Sequence, residues 1–129
     1  MNKGKIYHIN FDGYKGSEIN NIHLGIVFNI PKINNMVFCI PLTSPKLKHF
    51  KTENDFNNRN YLNLKRYSLI YINQTDSIAL LDQMGTISNK RLLNTYKDNE
   101  GYDVVLNNNN LNLINVKTIK YLENILNIN

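Results

Sequence analysis

Met36-Val37-Phe38-Cys39-Ile40-Pro41-Leu42-Thr43-Ser44-Pro45-Lys46-Leu47-Lys48-His49 is the stretch around which the rest of the chain can be organised. Its first half is an apolar run long enough for one buried strand. The run breaks into two hydroxyls, a proline and the side chains of Lys46, Lys48 and His49. A rigid strand that delivers polar groups to its own end is a common way to build a site. The plainer alternative is that Pro45 ends the strand and the basic residues form a solvated loop.

Upstream, residues 24–30 form a second apolar run, stopped by Pro31. Asn34-Asn35 reads as a tight turn, because asparagine tolerates left-handed backbone, so residues 24–30 and 37–42 predict a hairpin. Residues 5–11 alternate, with Ile6, His8 and Asn10 on one side and Tyr7, Ile9 and Phe11 on the other, which predicts a first strand. Asp12-Gly13-Tyr14-Lys15-Gly16-Ser17 is turn chemistry.

Downstream, residues 43–66 are polar and carry Lys46, Lys48, Lys51, Arg59, Lys65 and Arg66. A loop of that length in a small domain is functional or mobile. Residues 67–72 and 77–82 predict two more strands around a turn at 73–76. Ser88 suits the N-cap of a short helix over 89–96, with Leu92 and Leu93 packing inward. Residues 102–106 read as a further strand. A C-terminal helix is expected from about residue 115, with Val116, Ile119, Leu122, Ile125 and Leu126 on its apolar face. The run Asn107-Asn108-Asn109-Asn110 reads as codon usage, or as a turn or loose loop. Short strands with late helices predict a mainly β (β+α) fold, a small twisted barrel forming one domain over 1–129.

With 129 residues, 42% of them apolar, the chain can bury a real core. Lys+Arg 15 against Asp+Glu 10 gives +5, which favours an anionic partner such as nucleic acid or an acidic protein segment. Cys39 is the only cysteine, so no disulfide forms within the chain and no cysteine metal cluster exists. A buried thiol in a reduced, cytoplasmic protein is the expectation. No apolar stretch is long enough to cross a bilayer, so no membrane partner is expected. The 3 histidines lack metal-ligand spacing, and Gly13 and Gly16 make no dinucleotide fingerprint, so neither metal nor cofactor is expected.

Three stretches, in order, resemble one family, the MazF/PemK-type toxin ribonucleases and their ToxN/AbiQ relatives. Gly4-Lys5-Ile6-Tyr7-His8-Ile9-Asn10-Phe11-Asp12, with Gly16-Ser17-Glu18-Ile19 and Leu24-Gly25-Ile26-Val27-Phe28, looks like the opening strand, loop and second strand. Ile40-Pro41-Leu42-Thr43-Ser44-Pro45-Lys46 is similar to the ToxN/AbiQ strand-end motif. Leu81-Asp82-Gln83-Met84-Gly85-Thr86-Ile87-Ser88-Asn89-Lys90-Arg91-Leu92 resembles the late strand and short helix of the MazF/PemK type. The resemblance implies an SH3-like barrel with a short helix and a C-terminal helix, generally a homodimer. It implies metal-independent cleavage of single-stranded RNA by 2′-OH attack, leaving a 2′,3′-cyclic phosphate and a 5′-OH. It also implies a cognate antitoxin, either a protein with an acidic segment or a small structured RNA.

Carried over residue by residue, the resemblance places Thr43, Ser44 and Lys46 in the site. Lys46 would neutralise developing phosphate charge, and the two hydroxyls would donate hydrogen bonds to phosphate oxygens. His23 stands where the family usually has an arginine before the second strand, and an imidazole can serve as acid or base near neutral pH. Lys48, His49 and Lys51 are candidate RNA contacts, as are Gln83, Gly85 and Thr86. Gly85 departs from the pattern, since the late-strand motif usually carries an arginine there. That departure keeps a second reading open, a barrel that binds RNA or an antitoxin without cutting. A gyrase poison on the same barrel is the weakest alternative, because phosphate-handling groups at the strand end suit RNA cleavage better.

Overall fold

The apolar run of the opening stretch is a strand, β3 (Met36–Thr43), and both halves of the molecule are built onto it. The computed structural model describes residues 4–14, 21–46 and 69–126. The other strands among those residues are β1 (Lys5–Asn10), β2 (Ile22–Asn29), β4 (Leu69–Ile72), β5 (Ser77–Leu80), β6 (Gly85–Ser88) and β7 (Leu92–Thr95). They form one 7-stranded antiparallel sheet in the order β4-β5-β3-β2-β1-β7, with β6 also on β3. Among the described residues a single long helix, α1 (Asn108–Ile125), follows.

One edge of β3 pairs with β2 as the expected hairpin, from Asn29↔Val37 to Gly25↔Pro41. The other edge changes partner along its length. It takes β6 from Met36↔Ser88 to Cys39↔Gly85, and β5 at Leu42↔Ala79 and Thr43↔Ile78. Pro41 lies between those two pairings, at a break in the ladder where a residue without an N–H is tolerated. A strand shared in this way folds the sheet over on itself into a barrel-like body.

Both faces of the sheet are buried. Ile9, Phe11, Val27, Cys39, Tyr71 and Ile78 pack together on one side. Ile6, Ile26, Ile40, Leu42, Ile70 and Leu81 pack on the other, under the start of α1. That is why β4, and β5 after Ser77, read as apolar runs rather than alternating ones. Gly25 is required by this packing, because a Cβ there would lie 2.5 Å from Ile9 Cδ1.

Four sequence expectations are corrected. The turn between β2 and β3 does use left-handed backbone, but at Lys32 (φ 66), inside a turn closed by Ile33 N–H donating to Ile30 O (3.1 Å), and not at Asn34-Asn35. The short helix over 89–96 is instead a three-residue 3-10 turn, Asn89–Arg91, leading into β7. Ser88 does cap that turn, accepting from Lys90 N–H at 3.2 Å, but Leu92 is half-buried and Leu93 is exposed, because strand geometry turns them to opposite faces. Residues 102–106 make only isolated bridges, Lys97↔Asp103 and Lys5↔Val105.

The fourth correction concerns α1. It starts seven residues earlier than expected, and the asparagine run is its beginning: Asn107 Oδ1 accepts from Asn110 N–H at 2.8 Å. Asn110 and Ile114 are buried, and the Asn110 amide donates to Tyr71 O at 3.4 Å. The helix therefore packs through its first turns. Val116, Ile119, Leu122, Ile125 and Leu126, expected to be its packed face, are exposed (45–64%).

Candidate functional site

The antiparallel register decides which candidates meet. The β2–β3 ladder ends at the rung Gly25↔Pro41, and His23 on β2 and Thr43 on β3 each lie two residues beyond it, at the same end of the hairpin. Both are half-buried and both project to the face that carries Cys39 and Val27. Ser44 and Lys46 follow Thr43 and are exposed. An imidazole, two hydroxyls and an ammonium are thus gathered at one end of the β2–β3 hairpin. Lys48, His49 and Lys51 lie outside the described residues.

Gly85 sits on the same face but further down β3, opposite Cys39. Four residues of strand separate that rung from Thr43, about 13 Å at the usual rise. Thr86 pairs with Phe38 and projects to the opposite face, away from His23 and Thr43. It stands on the side where Phe28, Phe38, Ile40, Met84 and Ile119 line an open apolar groove of about 740 Å³ between the sheet and α1. Gln83 lies between these positions, in a 3-10 turn (Leu81–Gln83), where it is half-buried.

Two further residues belong to this face, and the sequence reading passed over both. Tyr14 leaves the turn after β1 and donates its hydroxyl to Gln83 O at 2.9 Å. Its ring meets Phe11 edge-on, centroids 5.4 Å apart. Burial pushes the Tyr14 hydroxyl up to about 12, with the adjacent Cys39 adding to the shift. Burial likewise pushes the Cys39 thiol up to about 12, against the opposing effects of the Tyr14 hydrogen bond and the Arg91 charge. A Cβ built on Gly85 would fall 2.8 Å from Tyr14 Oη.

The second residue is Arg91. One guanidinium nitrogen donates to Asn10 O (3.0 Å) and Asp12 O (2.7 Å), tying the β1 turn to β7. Asp12 Oδ1 in turn accepts from Asn21 N–H at 2.9 Å, and Phe11 N–H donates to Asn21 O at 2.8 Å. The turn carrying Tyr14 is therefore held from both sides. The one available signal was composition: an aromatic placed directly after Asp12-Gly13, in a turn otherwise made of small and polar residues.

A short-stranded antiparallel barrel with one C-terminal helix and polar groups at a hairpin end defines a class, the small β-barrel proteins with a site at the sheet rim. Within it the family can be stated. The chain matches the family described as PemK-like, MazF-like toxin of type II toxin-antitoxin system over residues 2–101, and it belongs to that family. Its members are endoribonucleases that act with an antitoxin, generally as dimers. The matched span holds all the described strands and ends before α1. No match to the chain was found among curated proteins.

Proposed function

We propose that this chain is a toxin endoribonuclease that cuts single-stranded RNA without a metal ion. The carrying observation is the placement of His23 on β2 and Thr43 at the end of β3, on one face and at one end of the hairpin, with Ser44 and Lys46 following. The ribose 2′-oxygen bonds to phosphorus while the bond from phosphorus to the 5′-oxygen breaks. The 2′ proton passes to a base, and the leaving 5′-oxygen takes a proton from an acid, so the products are a 2′,3′-cyclic phosphate and a 5′-OH. Acid and base are drawn from His23, His49 and Lys46. Thr43 and Ser44 donate to the phosphate oxygens, and Lys46 offsets the charge that gathers there. Lys48, Lys51, Gln83 and Thr86 are assigned to binding the strand, Thr86 at most from the far face.

The cognate antitoxin is taken to be a protein with an acidic segment, which suits a type II family and a chain of net charge +5. The working form is a homodimer in the cytoplasm. Among the described residues no helix is long and apolar enough to cross a membrane.

One observation favours a second reading: Gly85 offers no side chain to RNA. On that reading the barrel binds RNA or an antitoxin and does not cut. Incubating a mixed-sequence single-stranded RNA with the chain in EDTA separates the two. Cyclic-phosphate ends from the native chain, lost in Lys46→Ala, are expected. Binding without any cleavage would establish the second reading instead.

A further inference from the structure

Gly85 has no side chain, yet the space beside its Cα is filled. We infer that Tyr14 is a substrate-contacting residue of this site, its hydroxyl standing where a side chain at position 85 would have to begin and offering RNA a neutral donor there. The inference rests on the ribonuclease reading above and goes beyond it by naming the group that serves the seam between β3 and β6.

The geometry is specific. A Cβ on Gly85 would lie 2.8 Å from Tyr14 Oη but 3.9 Å from Cζ. The first distance is too short for a carbon beside an oxygen, whereas the second is an ordinary contact. The obstruction is therefore the hydroxyl alone, not the ring. The hydroxyl is also costly to move. It donates to Gln83 O at 2.9 Å and stands beside the buried Cys39 side chain. Its ring is wedged against Phe11, and Tyr14 N–H donates to Phe11 O at 2.9 Å. Arg91 fixes the preceding residues through Asn10 O and Asp12 O. A larger residue at position 85 would require the Tyr14 hydroxyl to shift.

Tyr14 is only half-buried as a residue. The O–H rotates about its bond to the ring and can exchange the Gln83 carbonyl for a phosphate or base oxygen. The phenol keeps its proton through the physiological range, so it acts as a donor and not as a base. The seam is thus served by an uncharged group reaching in from the β1 turn, in place of a cation carried on β6.

The test compares the native chain with Tyr14→Phe, Gly85→Arg and the double variant. Single-turnover cleavage is followed in EDTA, binding is followed with a 2′-O-methyl strand that cannot be cut, and melting is followed by circular dichroism. Tyr14→Phe is expected to melt close to the native chain and to cleave at least about tenfold more slowly, the effect of removing one aimed donor. Gly85→Arg alone is expected to melt lower and to gain no activity. Adding Tyr14→Phe to it is expected to restore melting and to cleave faster than either single change. Native-rate cleavage by Tyr14→Phe overturns the inference. So does a Gly85→Arg chain that melts normally and cleaves faster unaided. A native chain that cuts none of the RNAs overturns the ribonuclease reading itself. Binding of the 2′-O-methyl strand then decides Tyr14: several-fold weaker binding in Tyr14→Phe keeps the contact, and unchanged or absent binding removes it.

Discussion

Cys39 has Val27 across the ladder on one side and Gly85 on the other, with the Tyr14 hydroxyl beside its thiol. Burial lifts the thiol from 9.0 to about 12, and the Tyr14 hydroxyl rises from 10.0 to about 12. Both groups bind their protons more tightly in the folded chain than in the unfolded one. Their contribution to stability is full below the unfolded values and is lost as the pH climbs towards about 12. Denaturant midpoints are therefore expected to fall steeply in the alkaline range, and Cys39→Ala to make that fall shallower. Gly25 makes a second prediction at this scale. Its Cβ would overlap Ile9 Cδ1 at 2.5 Å in a packed core, so Gly25→Ala is expected to cost about 1–3 kcal/mol in urea unfolding.

Among the elements, the hairpin of β2 and β3 was the most legible in the sequence. Two apolar runs bounded by Pro31 and Pro45 leave few alternatives for a chain this short. The residue that takes the turn was not legible, because Lys32 adopts left-handed backbone as the third residue of the Ile30–Ile33 turn, against its own preference. Leu92-Leu93 misled for a related reason. Adjacent leucines fit a helix as well as a strand, and only pairing with β1 chooses between them. The helix was misplaced because asparagine is a weak helix former in the interior but a strong cap, and Asn107 is used as a cap. Asn107→Ala is expected to lower stability by about 1 kcal/mol, read by thermal melting with loss of helical circular dichroism. Arg91→Ala removes both donations to the β1 turn and is expected to cost about 1 kcal/mol, with faster amide exchange at Tyr14 and Asn21.

Across the whole molecule, the site was legible as a set of residue types and not as an arrangement. Thr43, Ser44 and Lys46 announce themselves by ending an apolar run, and His23 by preceding one. Their placement at one end of the sheet depends on a hairpin that only the fold supplies. Tyr14 was invisible because its partner, Gln83, belongs to a distant part of the chain. The excess of 5 positive charges sets a prediction at this scale. Affinity for single-stranded RNA is expected to fall with salt, the log–log slope being about −0.7 for each phosphate neutralised, and Lys46→Ala to flatten it by about that amount. The solitary cysteine has one more consequence. Because Cys39 is fully buried on one face of the sheet, with Tyr14 beside it, a thiol-reactive dye can reach its sulfur only when the packing over that face opens. The chain thus carries its own clock for opening: the labelling rate, divided by that of the unfolded chain, counts the fraction of molecules in which that packing is open at any moment.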